Sequence, residues 1–133
     1  MHDKTSNSEA PGNSQFRILV VDDEALLLLH LSDLIEDLGH IPLCASSGPE
    51  ALTLLAGDLR VDLVITDQSM PDMKGTELAF AMRAHSPDLP IILASGYGET
   101  VRQDGVDLPC LAKPFSIADL EKMIAQTMLS SGS

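Results

Sequence analysis

Positive charge is scarce in this sequence. Eight Lys and Arg stand against twenty Asp and Glu, a formal net charge of −12, which leaves no basic stripe for a phosphate backbone and no polybasic patch for anionic lipid. Nucleic acid and membrane surfaces are thereby set aside as direct partners. Cysteine is nearly absent. Cys44 and Cys110 fit no metal-ligand spacing, and with no signal peptide ahead of them the plain reading is reduced thiols in a cytoplasmic protein. The longest apolar run, Ala25 to Leu29, is too short to cross a bilayer. A glycine-rich phosphate loop is missing too, since GPEALTLLAG at 48–57 lacks both the spacing and the lysine.

What is present is one domain's worth of regular alternation, because 133 residues suffice for one sizeable core and are too few for two ordinary ones. Residues 1–15 carry almost nothing that could be buried and read as a disordered leader. Ser130 to Ser133 read as a disordered tail, leaving 16–129 as the folded domain. Within it, apolar runs predict strands at Phe16–Val21, Ile41–Ala45, Leu63–Thr66, Ile91–Ala94 and Cys110–Ala112. Amphipathic stretches predict helices at Glu24–Leu38, Pro49–Ala56, Thr76–His85 and Ile117–Met128. Such a repeated βα pattern implies a parallel sheet with helices on both faces. Leu27, Leu31, Leu34 and Leu38 share a helical face ahead of Gly39, a C-terminal stop. Ser47 with Glu50, and Ser116 with Asp119, sit at capping-box spacing. Leu120, Met123, Ile124 and Met128 line one face of the last helix. Pro42 removes a ladder donor from the second strand, so that strand belongs at a sheet edge, as it does in the order 2-1-3-4-5.

Chemistry gathers where strands end. The run Leu63 to Thr66 stops at Asp67, the run Ile18 to Val21 stops at Asp22 and Asp23, the fourth strand gives way to Ser95 and Gly96, and the fifth ends at Lys113 before Pro114. In open parallel sheets the carboxyl ends of the strands are where ligands bind. Each residue taken alone has a plainer reading. Asp22 and Asp23 could cap the helix that follows, and Asp67 could be a turn residue ahead of a Pro-containing loop. Capping gives no reason to place Lys113 or Ser95 at strand ends, and the coincidence of four such ends points to a shared site. Crowded carboxylates repel unless a cation joins them, and a hard cation with oxygen ligands such as Mg²⁺ suits such a cluster. His30, His40 and His85 show no partner spacing and read as surface or half-buried side chains. Met82, Met123 and Met128 read as core filler.

With VVDDE at 20–24, DLVITDQSMPDMKG at 62–75, LASG at 93–96 and AKPF at 112–115, all in order, the chain resembles a receiver domain of the response-regulator family of two-component signalling over about residues 16–128. The fold this implies is flavodoxin-like and doubly wound, with five parallel strands in the order 2-1-3-4-5. Carried over residue by residue, the resemblance makes Asp67 the phosphoacceptor, Asp23 a direct Mg²⁺ ligand, Asp22 a ligand through water and the backbone carbonyl of Ser69 a further ligand. It makes Ser95 the switch hydroxyl and Lys113 the contact to the phosphoryl group, and it implies a cis bond at Lys113–Pro114. Asp67 would then be the nucleophile of an in-line phosphoryl transfer, with the metal and Lys113 offsetting charge on the transferred oxygens.

The sequence also departs from the family's usual pattern. The position three before Lys113, where receivers commonly carry an aromatic switch residue, is Cys110. Tyr97 follows Ser95 by two instead, in LASGYG, which resembles hybrid-kinase receivers and single-domain receivers, and Tyr97 is a candidate replacement for the missing ring as well as an ordinary half-buried tyrosine. The interval from Ser95 to Lys113 is about one helical turn shorter than is common in the family. Its glycines Gly96, Gly98 and Gly105 make a stable fourth helix doubtful and predict a short or frayed helix, or an irregular loop, over Tyr97–Leu108 that is mobile before phosphorylation.

Two functions compete. One is a phosphorylation-controlled receiver that accepts a phosphoryl group from a histidine kinase or histidine phosphotransfer protein, is no enzyme beyond its own phosphorylation and dephosphorylation, and signals by protein contact as a monomer or weak dimer without an effector domain. A receiver excised from a hybrid kinase is a variant of it. The other is a Mg²⁺-dependent phosphohydrolase with an aspartate nucleophile, for which the short loops offer no substrate cap.

Overall fold

The computed structural model describes residues 15–96, 102–103 and 106–132. Five strands make the central sheet: β1 (Arg17–Val21), β2 (Ile41–Ala45), β3 (Leu63–Asp67), β4 (Ile91–Gly96) and, last in the chain, β7 (Cys110–Lys113). All pair in parallel in the order β2-β1-β3-β4-β7. Pro42 accordingly lies in an edge strand, where its missing donor costs no ladder bond. Between the strands run α1 (Ala25–Asp37), α2 (Gly48–Ala56), α3 (Gly75–His85) and α4 (Ile117–Gly132). This is the doubly wound, flavodoxin-like α/β architecture expected from the alternation.

Alternation within the strands divides the core in two. Ile18, Val20, Leu63, Ile65, Ile92 and Leu111 meet Leu31, Ile35, Leu120 and Ile124 of α1 and α4. Leu19, Val21, Val64, Ile91 and Leu93 meet Ala51, Leu78, Ala79 and Met82 of α2 and α3. β3 is buried at all five positions, as a strand covered on both faces must be. At the opposite end of the sheet from the site, Asp62 Oδ2 accepts the Arg17 N–H at 2.8 Å and the Asp62 N–H donates to the Arg17 carbonyl, which sets the β1/β3 register.

Three details differ from the sequence expectation. The buried face of α1 is carried by Leu31 and Ile35, while Leu27 is 40% exposed. A run of four leucines makes the face ambiguous by periodicity alone. Where a short or frayed helix or an irregular loop is expected, the described residues carry β5 (Arg102–Gln103) and β6 (Val106–Asp107), an antiparallel pair two residues long, and no helix. β-branched Val106 suits a strand better than a helix. Finally, α4 runs on through Ser130 and Ser131 to Gly132, residues expected in a disordered tail. Residues 1–14 of the expected leader, and Tyr97, lie outside the described residues.

Candidate functional site

The sheet register delivers the site. Val21 pairs with Thr66 across β1 and β3, Asp67 pairs with Ala94 across β3 and β4, and Gly96 pairs with Lys113 across β4 and β7. Asp22 and Asp23, just past β1, therefore come level with Asp67, and Ser95 with Lys113 flanks them on the other side. One ligand oxygen from each of Asp22, Asp23 and Asp67 lies within 4.8 Å of the others. Lys113 Nζ reaches Asp67 Oδ1 at 2.5 Å and Asp22 Oδ2 at 3.8 Å.

The plainer readings of these acids fail on geometry. Asp22 Oδ1 accepts the Glu24 N–H at 3.0 Å, but Glu24 is itself the N-cap position of α1, and no side chain there caps a first-turn amide. Asp67 ends a buried strand, is 7% exposed, and spends its carboxylate on Lys113. Burial, foremost, pushes the Asp22 carboxyl above its ordinary value; the neighbouring Asp67 and Asp23 charges add to this, while the Glu24 N–H and Lys113 pull it down. One lysine beside three acids leaves an excess of negative charge that a hard cation would relieve, and the donors are all oxygens, so the cluster fits Mg²⁺. Ser95 is 6% exposed and its Oγ is fully buried with no hydrogen-bond partner among the described residues. A buried orphan hydroxyl calls for a ligand or a movement, and here it adjoins the acids. The Lys113–Pro114 bond is cis.

Above the acids opens a cleft of about 660 Å³, with Asp22, Asp67 and Lys113 at its floor and Leu27, His30, Leu31, Pro114 and Phe115 among its walls. Sequence reasoning missed these walls, although the leucine run of α1 was a signal. It also missed Gln68, whose side chain reaches eight residues forward to Thr76, and the closeness of α3 to β3: a Cβ on Gly75 would stand 2.5 Å from the Asp67 carbonyl oxygen.

Residues 18–125 match the family of the response regulator receiver domain. The chain belongs to that family. As a receiver domain it is a phosphoacceptor module of two-component signalling, and the phosphohydrolase alternative finds no support. It is 34% identical to the response regulator protein FleR of Pseudomonas aeruginosa over 119 residues, 85% of this chain and 24% of FleR. It is 30% identical to the sporulation initiation phosphotransferase F of Bacillus subtilis, over 81% of this chain and 90% of that protein. Among solved structures it resembles a response regulator receiver domain protein from Clostridium thermocellum, with a TM-score of 0.79 at 28% identity over 88% of this chain and 97% of the other. The receiver thus spans about a quarter of FleR and most of the sporulation protein. No described helix is long and apolar enough to cross a membrane.

Proposed function

We propose that Asp67 accepts a phosphoryl group from a phosphohistidine of a histidine kinase or histidine phosphotransfer protein. The observation that carries this is the convergence of Asp22, Asp67 and Lys113 from three strand ends onto the floor of one open cleft, with Asp23 beside the other two acids. Asp22, Asp23, Asp67 and the Ser69 carbonyl would hold Mg²⁺, which supplies positive charge to the oxygens of the group in transfer. An Asp67 carboxylate oxygen attacks phosphorus, the P–N bond to the donor imidazole breaks, and its electron pair returns to the ring, which takes up a proton from water. Lys113, held at Asp67 beforehand, turns to a phosphoryl oxygen, and the unpartnered Ser95 hydroxyl donates to another. That movement of Ser95 pulls on the segment after β4, where Tyr97 is the candidate switch aromatic, and the altered surface is read by a partner protein.

The donor has to bring its imidazole through the cleft. Leu27 of α1 lines that cleft, and outside the cleft the same helix exposes Leu26 at 80% and Leu29 at 59%, apolar surface of the kind a partner helix covers. The acidic balance argues against nucleic acid and lipid as partners, and the reading places the protein in the cytoplasm as a monomer or weak dimer.

The test is intact mass after treatment with acetyl phosphate. A gain of one phosphoryl group that is lost with chelator and lost in Asp67→Asn is expected; an undiminished adduct in that variant overturns the assignment.

A further inference from the structure

Resting on that reading of the metal site, we infer that Gln68 is a positioning residue for the Ser69 carbonyl, and that it acts by capping α3 from across the loop. A helix leaves its first amide donors without internal partners, and the N-cap side chain is the usual remedy. In α3 the N-cap is Lys74, whose ammonium has no lone pair to offer, and no side chain there accepts a first-turn amide. Gln68 supplies the acceptors instead. Its backbone carbonyl accepts the Gly75 N–H at 3.1 Å and its side-chain Oε1 accepts the Thr76 N–H at 2.9 Å. The Thr76 N–H fixes which way the amide faces, and Nε2 then lies 3.5 Å from Thr76 Oγ1.

The same residue is tied to the sheet, because its N–H donates to the Ala94 carbonyl at 3.0 Å. One glutamine therefore closes the neck of the 69–74 loop between β4 and the start of α3. Ser69 is the first residue past that neck and is itself exposed, while Met70, the next, is buried at 7% exposure in the core. Ser69 is thus held between a polar anchor and an apolar one. The neck has no slack: a Cβ on Gly75 would come within 3.0 Å of Gln68 Cα as well as 2.5 Å of the Asp67 carbonyl oxygen. A side chain that orients a metal-ligating group without touching the metal typically changes affinity 10- to 100-fold when lost.

The experiment is a Mg²⁺ titration of the unphosphorylated full chain followed by backbone amide shifts, together with hydrogen exchange at Thr76 in the metal-free protein. Q68M keeps the bulk and removes the acceptor; it is expected to weaken Mg²⁺ binding about tenfold and to speed exchange of the Thr76 amide. Q68E keeps an acceptor for that amide and is expected to retain both protection and affinity. Q68M binding Mg²⁺ like the wild type while Thr76 has lost protection overturns the inference, as does equal weakening in Q68M and Q68E. Should Q68M fold poorly, Q68N, one methylene short of Thr76, takes its place with the same expected and overturning results. Asp23→Asn separates the two levels: unchanged Mg²⁺ affinity there overturns the metal-site reading, whereas weakening there with an unaffected Q68M overturns only the role of Gln68.

Discussion

Gly75 shows at the residue scale how little room the site leaves. A methyl group there would meet the Asp67 carbonyl oxygen at 2.5 Å and Leu93 Cδ2 at 2.8 Å, whereas one on Gly96 would meet nothing within 4 Å. Gly75→Ala should therefore cost about 1–3 kcal/mol, the range for forcing extra volume into a packed site, and slow labelling by acetyl phosphate. Gly96→Ala should leave stability near the wild type, and urea unfolding of the two variants checks the pair. His40 is a second residue whose role emerges only from the fold. Its ring stacks on Phe16 at 5.1 Å between centroids, and its Nδ1 accepts the Phe16 N–H at 3.1 Å, which requires the neutral imidazole. Burial lowers its pKa from 6.5, against an opposing pull from Glu121 of α4. The unfolded chain then binds more protons than the folded one, so this contribution is complete above pH 6.5 and is lost as pH falls through that value toward the lowered folded one. His40→Phe keeps the stacking and orphans the Phe16 amide. It should cost about 1 kcal/mol at pH 7.5, and the gap to the wild type should narrow at pH 5.5 in denaturant titrations.

Elements carry the contrast between what alternation can and cannot tell. β1, β3 and β4 are legible because each is a short apolar run buried on both faces, and the acids are legible because they end those runs. The face of α1 is not, since Ala25 to Leu29 are all apolar and the burial pattern depends on where α1 sits on the sheet. The tie from Gln68 to Thr76 is invisible for a different reason: it joins residues eight apart across a loop and has no periodicity. The ribbon β5/β6 was masked by glycines that argue against a helix without specifying its replacement. The exposed part of α1 is where function adds to the sheet's demands. Leu26 and Leu29 support no core, so Leu26→Glu and Leu29→Glu should each change stability by less than about 0.5 kcal/mol. Labelling by acetyl phosphate should stay as it is while transfer from a phosphohistidine protein falls about tenfold or more, because a buried apolar contact at an interface centre is worth that much. Equal loss with both donors would place the defect in the site rather than in docking.

For the whole molecule the excess of acid is the governing quantity. A net charge of −12 makes the compact state repel itself, and the site concentrates that repulsion by burying Asp22 beside Asp67 with a single lysine between them. The fold therefore gives up stability to keep the site charged, a trade-off found where function needs strained groups. Two changes relieve that cost, and each raises stability. Neutralising Asp22 in Asp22→Asn relieves the cost of a buried charge, so the metal-free variant should melt a few degrees above the wild type. A cation that binds only the folded chain stabilises it by mass action, about 1.4 kcal/mol at ten times its dissociation constant, which for a domain of this size is again a few degrees. Thermal melts in Mg²⁺ against Na⁺ at matched ionic strength separate specific binding from general screening. The wild type should gain in Mg²⁺ alone, and Asp22→Asn should start higher and gain little. A variant that melts below the wild type in chelator would show that Asp22 is structural, and that its charge is no burden on the fold.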